Sequence, residues 1–202
     1  MQIPKIIHQV HLGNSKLSEK ELRWQESWKH YNPDWEYKLW TDDSIQTDID
    51  LINKDALLRE KTYSGKSDIL RYEILYKYGG LYLDTDFECL KPITPFLEDK
   101  EFVVCSERNR FLCGAFLASI PKHKYLKLLI DGIPERESTY PDAKPNVKYG
   151  PVYLTHVVGM DKGYAQEYVF PYGWWEKHRR NEDFRKTCPN AYAVHHWAGS
   201  WK

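Results

Sequence analysis

The sequence predicts an α/β protein with a largely parallel central sheet flanked by helices. Apolar segments of strand length alternate along the chain with segments of helical periodicity, and this alternation is typical of parallel sheets. Start and stop signals for helices lie between these segments. The length of 202 residues suits one domain, and we expect residues 1–202 to form it.

The predicted strands and helices follow one another in a simple order. The strands are residues 3–12, 35–40, 81–90, 101–105, 111–119 and 192–197. The helices run from residue 18 to about 32, from residue 64 or 67 to about 78, and from residue 123 to 130. The segment 43–63 looks helical and irregular, whereas 131–151 is rich in proline and charge and is predicted to be a loop.

Local signals set the boundaries of the helices. Ser18 with Glu21 fits a capping box, which predicts that the first helix begins there. Ser64 or Ser67 can cap the central helix. Gly79-Gly80 ends that helix, because glycine accepts the left-handed conformation that follows a helix.

The composition excludes some classes of function. Hydrophobic residues make up 42% and charged residues 29%, as in ordinary globular domains. Lys+Arg and Asp+Glu are both 29, so the formal net charge of +0 gives no case for nucleic acid as a partner. Aromatic residues are frequent at 15%. Their flat faces can hold sugars or bases, but most of them are expected to fill the core.

The cysteines and the hydropathy bear on location. Four widely spaced cysteines form no zinc motif, and we expect reduced thiols: Cys89, Cys105, Cys113 and Cys188. No apolar run approaches the roughly 18 residues of a membrane span, and no signal peptide is visible. We therefore expect a cytoplasmic protein, peripheral membrane attachment being compatible with this, or a Golgi lumenal one if an anchor has been removed.

The predicted strand of residues 81–90 carries polar side chains at alternating positions. Tyr82, Asp84, Asp86 and Glu88 should face one way, since side chains alternate along a strand. Two carboxylates after a buried strand are costly unless they are solvated or bound to a cation. An Asp-x-Asp alone is common on surfaces. Its place after an apolar strand and a Gly-Gly helix stop favours a site for a divalent metal ion.

Asp68 and Arg71 lie three residues apart in the predicted central helix and therefore share a face. The simpler interpretation is an exposed ion pair of little energetic value. The helix leads directly into the Asp-x-Asp strand, however, so its first turn can flank the same pocket. There Asp68 can accept hydrogen bonds from sugar hydroxyls, and Arg71 can donate to a hydroxyl or a phosphate.

The C-terminal segment combines imidazole, hydroxyl and indole groups within seven residues, His195-His196-Trp197-Ala198-Gly199-Ser200-Trp201. A single terminal histidine is more often structural than a ligand. A last segment can also close over a pocket as a lid. In that case His196 is a candidate metal ligand, and Ser200 and Trp201 are candidate donors to a phosphate.

Together these motifs resemble glycosyltransferase family thirty-two, which carries an Asp-x-Asp sugar-binding region. The family includes yeast outer-chain mannosyltransferases, bacterial capsular polysaccharide enzymes and, more distantly, clostridial glucosylating toxins. The resembling stretches run in family order over nearly the whole chain: Ile3-Pro4-Lys5-Ile6-Ile7-His8-Gln9, Ser67-Asp68-x-x-Arg71, Tyr78-Gly79-Gly80-Leu81-Tyr82-Leu83-Asp84-Thr85-Asp86, Gly150-Pro151 and His195-His196-x-x-Gly199-Ser200-Trp201. The combination of Ser-Asp-x-x-Arg with Gly-Gly-x-Tyr-x-Asp-x-Asp is highly specific.

The resemblance implies a GT-A fold, which is a Rossmann-like fold that binds nucleotide sugars. It implies a retaining glycosyltransferase that uses Mn²⁺ or Mg²⁺. The enzyme would move a hexose from a UDP- or GDP-sugar to a glycan or lipid-linked glycan acceptor, in polysaccharide or glycan synthesis.

The resemblance also assigns roles by position in the motifs. The catalytic residues would be Asp68, Arg71, Asp84 and Asp86. The metal ligands would be Asp84, Asp86 and His196, which is preferred to His195. The donor sugar would contact Asp68, Arg71, Tyr82 and Asp84. The nucleotide would contact Gln9, Val10 and His11, and the diphosphate Ser200 and Trp201.

One position departs from the family pattern. Members usually carry a tryptophan after the first strand, where it stacks on the base, and this chain has His11 there. Stacking by His11 and stacking by Trp40 both stay open.

Two other classes of function also stay open. A metal-dependent nucleotide-sugar hydrolase or phosphoryl-transfer enzyme could use the same Asp-x-Asp, but it needs more carboxylates, for which Glu88 and Glu107 are the obvious sources. A non-catalytic carbohydrate-binding module would use the aromatic residues without a metal. Manganese-dependent release of nucleoside diphosphate without free sugar separates the transferase from the hydrolase, and sugar binding without metal would indicate the module.

Overall fold

The structure is a computed structural model, and it describes residues 1–199. The candidate diphosphate donors Ser200 and Trp201 lie outside the described residues. The strands are β1 (Ile6–Val10), β2 (Glu36–Trp40), β3 (Gly80–Leu83), β4 (Phe87–Cys89), β5 (Phe102–Glu107), β6 (Phe111–Ser119) and β7 (Ala193–His195). The helices are α1 (Glu19–Tyr31), α2 (Asp42–Asp48), α3 (Lys54–Arg59), α4 (Tyr63–Tyr78), α5 (Thr94–Leu97), α6 (Lys124–Thr139), α7 (Pro145–Lys148), α8 (Pro151–Val158) and α9 (Phe184–Thr187).

Five strands form the central sheet in the order β2-β1-β3-β6-β5. β1 is parallel to both β2 and β3, and helices connect these strands, as parallel pairing requires. β6 is antiparallel to β3 and to β5. The predicted α/β class is confirmed, but the sheet is mixed rather than largely parallel. Only residues 108–110 join β5 to β6, and so short a connection permits only an antiparallel pair.

Helices cover both faces of this sheet. On one face, α4, α6 and α8 contribute to a core that contains Leu70, Leu129 and Leu154. On the other face, α1, α5 and the small sheet of β4 and β7 pack around Trp28 and Phe87. Both faces of β3 are consequently buried, so the residues that follow β3 begin inside the protein.

The central helix α4 begins slightly earlier than predicted. Thr62 caps it by accepting a hydrogen bond from the amide of Gly65, so neither Ser64 nor Ser67 is the cap. Gly79 ends it with a φ of 65°, as its sequence predicts. Every residue from 67 to 75 is buried, polar ones included. The capping box of Ser18 at the start of α1 is also confirmed.

The predicted loop of residues 131–151 is largely helical, because α6 continues through Pro134. A proline inside a helix leaves the carbonyl four residues earlier without its usual donor. Here that carbonyl belongs to Ile130, and it accepts a hydrogen bond of 3.0 Å from Asn53 Nδ2. Since the freed oxygen has another donor, the helix tolerates the proline.

The four cysteines are free thiols, although Cys105 and Cys113 are register partners in β5 and β6. Within residues 1–199, no helix combines the length and the apolar character needed to cross a bilayer.

Candidate active site

The predicted strand of residues 81–90 is in fact two strands, and Asp84-Thr85-Asp86 is the break between them. β3 belongs to the central sheet, whereas β4 pairs with β7. The break lies at the carboxyl end of β3, next to the carboxyl end of the parallel strand β1. Ligands of open α/β sheets bind at this edge.

Side chains from two distant segments fix this turn. Gln9 Nε2 donates to the main-chain oxygen of Asp84 at 3.0 Å, and Thr85 Oγ1 donates to Glu21 at 3.2 Å. Trp28 Nε1 donates at 2.9 Å to the main-chain oxygen of the first residue of β4. The turn therefore has one defined geometry, which a binding site of fixed shape requires.

His195 lies beside Asp86. Its Nε2 is 2.9 Å from Asp86 Oδ1, and Asp86 Oδ2 accepts a hydrogen bond of 2.8 Å from the amide of Ala198. The pairing of β4 with β7 produces this contact, because it places His195 opposite Phe87, whose ring stacks on the imidazole at 4.5 Å. Asp84, Asp86 and His195 offer ligand atoms that all lie within 4.8 Å of one another.

The structure does not bring His196, the predicted metal ligand, together with the two aspartates. Neighbouring side chains on an extended segment point to opposite faces, so His196 points away from the aspartates. Its Nε2 is 3.0 Å from Glu88 Oε2, and its ring stacks on Trp24 at 4.3 Å. Arg185 binds the same glutamate at 3.0 Å. His196 thus belongs to a separate network.

Arg71 links Asp68 to the Asp-x-Asp turn. Its Nη1 is 2.8 Å from Asp68 Oδ1, and its Nη2 is 3.3 Å from Asp84 Oδ1. The side chains of Asp68 and Arg71 are only 10% and 6% exposed. An exposed ion pair is thereby excluded, and the predicted connection between the helix and the acidic turn is present in the structure.

Two glycines leave the space that this ion pair occupies. A Cβ on Gly114 of β6 would lie 2.5 Å from Arg71 Nη1. A Cβ on Gly150 would lie 2.8 Å from Asp68 Oδ2. Any larger residue at either position would displace the pair. Gly150 belongs to the motifs found in the sequence, whereas nothing in the sequence marks Gly114.

Three of the predicted binding residues are buried beneath the site. Tyr82, Gln9 and Val10 have no exposed surface. Tyr82 donates its hydroxyl to Asp84 Oδ1 at 3.0 Å, and Gln9 binds the main chain of the same residue. Tyr82 and Gln9 therefore position Asp84 in this geometry. The contacts of Tyr82 with the donor sugar, and of Gln9 and Val10 with the nucleotide, stay predictions.

Trp40 and His11, the two candidates for stacking on a base, differ in how accessible their rings are. Trp40 is fully buried, and its Nε1 donates to His8 Nδ1 at 3.1 Å, so it cannot stack on a ligand. His11 is half-buried, with Nε2 2.6 Å from the carbonyl oxygen of Ser15. His11 is therefore the one of these two rings that a ligand can reach.

The acidic turn opens into a cavity of about 360 Å³. It is lined by Ser64, Asp68, Arg71, Asp84, Asp86, Glu107, Cys113, Gly114, Ala115, Pro151, Trp174, His195, Trp197 and Gly199. Four of these carry carboxylates, against one guanidinium and one imidazole. A larger surface groove of about 870 Å³ between α2, α3 and α4 contains only lysine and aspartate as charged groups and has no comparable cluster among the described residues.

The charges of the site shift one another. Burial raises the pKa of Asp68 to about 7, although Arg71 opposes the shift. Burial also raises the pKa of Asp84 against the same guanidinium. Burial alone would raise the pKa of Asp86 and lower that of His195. The attraction between the two side chains outweighs burial, so the pKa of Asp86 is lowered and that of His195 is raised. Asp86 and His195 thus form an ion pair.

The donor set fits a divalent cation. Carboxylate oxygens suit Mg²⁺ and Mn²⁺, and an imidazole nitrogen is a common additional ligand of transition metals. The excess of buried carboxylates makes a positive charge favourable here. An imidazole that binds a metal must be neutral, so a cation would displace the proton of the Asp86–His195 ion pair.

Solved structures show which fold the chain has. The PaToxG glycosyltransferase superimposes with a TM-score of 0.61 at 20% identity, over 79% of this chain and 70% of that chain. The galactosyltransferase LgtC, in complex with donor and acceptor sugar analogs, gives a TM-score of 0.52 at 11% identity, over 95% of this chain and 87% of that chain. These likenesses show that the chain has the GT-A fold, with its acidic turn at the carboxyl edge of the sheet.

The family follows from the sequence comparisons. Residues 18–103 match the glycosyltransferase sugar-binding region containing the DXD motif, and Asp84-Thr85-Asp86 is the DXD motif within that range. The chain belongs to the glycosyltransferases that carry this region.

Curated fungal proteins are similar to this chain. Inositol phosphoceramide mannosyltransferase 1 of Schizosaccharomyces pombe is 30% identical over 77% of this chain and 51% of its own length. Inositol phosphoceramide mannosyltransferase 3 of the same yeast is 32% identical over 76% of this chain and 44% of its own length. Mannosyl phosphorylinositol ceramide synthase CSH1 of Saccharomyces cerevisiae is 29% identical over 65% of this chain and 35% of its own length. The chain spans about half or less of the length of these relatives.

Proposed function

We propose that this chain is a metal-dependent, retaining glycosyltransferase that moves a hexose from a nucleoside-diphosphate sugar to a hydroxyl acceptor. The observation that carries the proposal is the Asp84–Asp86–His195 cluster, which shares one cavity with the Asp68–Arg71 ion pair. In this proposal residues 1–202 act as one GT-A domain.

In the proposed site Asp84, Asp86 and His195 would hold Mn²⁺ or Mg²⁺. The cation would supply positive charge beside the diphosphate, which gains negative charge as it leaves. Ser200 and Trp201 stay our proposed donors to the same diphosphate. The amide of Ala198 already binds Asp86, so it orients the start of the segment that carries them.

Asp68 and Arg71 would bind the donor sugar. The guanidinium is fixed between two carboxylates, so it needs no reorganisation when a ligand binds. Asp68 lines the cavity and can accept a hydrogen bond from a sugar hydroxyl. The resemblance to family thirty-two supports retention of configuration at the anomeric carbon.

The names of the relatives support mannose as the transferred hexose. We propose a GDP- or UDP-sugar as donor and a glycan or lipid-linked glycan as acceptor. The nucleotide would lie at the carboxyl end of β1, where His11 is the ring that can reach a base. The proposed location stays the cytoplasm, peripheral attachment to a membrane being compatible with this, or the Golgi lumen if an anchor has been removed.

The test is a panel of UDP- and GDP-sugars incubated with the protein and Mn²⁺ or EDTA. We expect manganese-dependent release of nucleoside diphosphate from one donor, and proton NMR of the glycoside product should show the anomeric configuration of the donor. Stoichiometric free sugar that no added acceptor suppresses would identify a hydrolase instead. Sugar binding that EDTA leaves unchanged, with no turnover of any donor, would identify a carbohydrate-binding module.

A further inference from the structure

Two adjacent tryptophans are exposed beside the acidic cavity. Trp174 and Trp175 are 52% and 40% exposed. An indole is the largest apolar side chain, and it removes roughly 150–250 Å² from water when it is fully packed. Leaving two of them exposed side by side forfeits much of that stabilisation. Such a patch is typical of a surface that contacts a ligand or partner.

The turn that carries these indoles is well fixed. The amide of Gly173 donates to Glu176 Oε2, and the amide of Glu176 donates to the carbonyl of Gly173, both at 2.8 Å. Arg179 contacts Glu176 and donates to the carbonyl of Pro171 at 2.8 Å. A Cβ on Gly173 would lie 2.2 Å from the ring of Trp175. The exposure of the indoles therefore results from a defined turn.

The two indoles have different surroundings. Trp174 lines the cavity of the acidic turn, whereas Trp175 does not. Trp175 instead packs under the guanidinium of Arg108 at 4.3 Å and meets Trp174 edge to face at 5.9 Å. Trp174 is consequently the indole that a ligand in the cavity would contact, whereas Trp175 lies outside the cavity.

Trp174 adjoins the connection between β5 and β6, because it contacts Trp175, which packs under Arg108 of that connection. The lining of the cavity includes residues of β5 and β6 but none of β1 or β2. The sheet order β2-β1-β3-β6-β5 places β3 between these two sides. The nucleotide is proposed to lie at the end of β1, so Trp174 faces the part of the site that remains for a second substrate.

Glu107 ends β5 and lines the same cavity. Burial raises the pKa of its carboxyl, and no hydrogen bond or ion pair to its side chain is found among residues 1–199. A carboxylate with unused oxygens accepts hydrogen bonds from hydroxyl groups. An indole on the same cavity offers a flat apolar face. Together they match a six-membered ring that has one C–H face and several hydroxyls.

We propose that Trp174 and Glu107 form the acceptor subsite and that the acceptor group bound there is a hydroxylated six-membered ring, either a sugar or a cyclitol. This inference rests on the proposed transferase function. In the reaction, the acceptor oxygen forms a bond to the anomeric carbon as the bond from that carbon to the diphosphate breaks. The hydroxyl proton leaves with the departing diphosphate.

The experiment compares transfer with hydrolysis in the full chain. The donor is the nucleotide sugar that the wild-type protein turns over fastest with Mn²⁺. The probes are methyl α-D-mannopyranoside and, in a separate arm, free myo-inositol, each raised to high millimolar concentration. Donor hydrolysis without a probe reports the donor site alone, and formation of the glycosylated probe reports the acceptor subsite. The probe that is glycosylated tells a sugar acceptor from a cyclitol one.

We expect Trp174→Ala to lower kcat/KM for transfer about 30-fold, as truncation of a central tryptophan does at other binding sites, and to leave donor hydrolysis unchanged. Glu107→Gln should lower transfer about tenfold, because a hydrogen bond to a charged group is replaced by one to a neutral group. Trp175→Ala is the matched control, with transfer close to that of the wild type. Since Trp174 is exposed, its removal should leave the melting temperature unchanged.

Three results would overturn the subsite. Unchanged transfer in Trp174→Ala would remove the indole from the acceptor site. Equal losses of hydrolysis and transfer, with a raised KM for the donor, would assign Trp174 to the nucleotide instead. Donor hydrolysis without transfer to either probe in the wild type would exclude the proposed ring class. A wild-type protein that turns over no donor would be a different failure, because the transferase function itself would then be wrong.

Discussion

The two faces of the β4–β7 ribbon carry the same chemistry in different surroundings. On the inner face His195 contacts Asp86 at 2.9 Å, and on the outer face His196 contacts Glu88 at 3.0 Å. The inner side chains are 7% and 8% exposed, whereas the outer ones are 12% and 25% exposed. Among the residues that the structure describes, only the inner pair adjoins a further carboxylate, that of Asp84.

The difference shows that a histidine–carboxylate contact does not itself define a site. The outer glutamate also binds Arg185, so its charge is already balanced, and these partners lower its pKa although burial would raise it. The inner pair faces a cavity with an excess of carboxylates. We therefore expect only the inner pair to contribute to activity, and substitutions that separate the two faces test this expectation.

Asp86→Asn should have the largest effect. We expect turnover of the donor with Mn²⁺ to fall by about 10³-fold, because the substitution removes a negative charge and a ligand from the centre of the site. The fold should persist, since asparagine can still accept the hydrogen bond from the amide of Ala198. Glu88→Gln on the outer face is the control and should keep nearly full turnover. Equal losses in both variants would show that the faces do not differ in function.

The buried ion pair next to the inner face should matter for stability as well. Asp68→Ala leaves Arg71 buried with Asp84 as its remaining partner, and removing one member of a buried pair costs about 3 kcal/mol. Urea unfolding measures this loss. Asp131→Ala, which breaks the exposed pair with Lys127 on α6, should leave the unfolding midpoint unchanged. A small effect at Asp68 would mean that water reaches the guanidinium.

The two histidines can be compared directly. His195→Ala should weaken the apparent affinity for Mn²⁺ about 30-fold, as losses of nitrogen ligands or their partners commonly do. His196→Ala should leave that affinity unchanged, because its ring contacts Glu88 and Trp24. Titration of donor turnover against Mn²⁺ gives both values. Dependence on His196 alone would restore the assignment made from the sequence.

His8 is a buried histidine without a carboxylate partner among the described residues. Of the substitutions proposed, its replacement should have the smallest effect. Trp40 Nε1 donates to its Nδ1, and its Nε2 lies 2.9 Å from the carbonyl of Gly79, so the ring is neutral. Burial lowers the pKa of His8 to about 4. The folded state therefore binds this proton less readily than the unfolded state, whose histidine pKa is about 6.5.

The contribution of His8 to the free energy of unfolding is therefore present above pH 6.5 and is lost as the pH falls toward 4. Linkage gives a loss of about 1 kcal/mol between pH 7.5 and 5.5. Other groups titrate in this range. The measurement therefore compares how the free energy of unfolding changes with pH in the wild-type protein and in His8→Gln. The same pH dependence in both proteins would show that folding does not lower the pKa of His8.

The sequence predicts where Asp84 and the Asp68–Arg71 pair lie in the fold, because local signals determine their placement. Gly79-Gly80 stops α4, and the apolar strand β3 then carries the chain to Asp84 at the edge of the sheet. The spacing of Asp68 and Arg71 places both on the same side of α4. Each of these features depends on residues close together in the chain.

Long-range contacts explain the failures. The choice between His195 and His196 depends on the register of β7 against β4, roughly a hundred residues earlier in the chain. The helix through Pro134 depends on Asn53, which binds the freed carbonyl of Ile130. The exposure of Trp174 depends on where its turn packs. Spacing within one segment cannot specify any of these.

The pairing of β4 with β7 also has a consequence for synthesis on the ribosome. β4 pairs with β7 among the described residues, and β7 follows it by roughly a hundred residues. Translation proceeds at about 5–20 residues per second, so the backbone of β4 stays unpaired for about 5–20 s until β7 has been synthesised. During this interval its unpaired N–H and C=O groups form an open edge that can pair with another nascent chain. A slowly translated or truncated transcript should therefore yield chains that aggregate through β4.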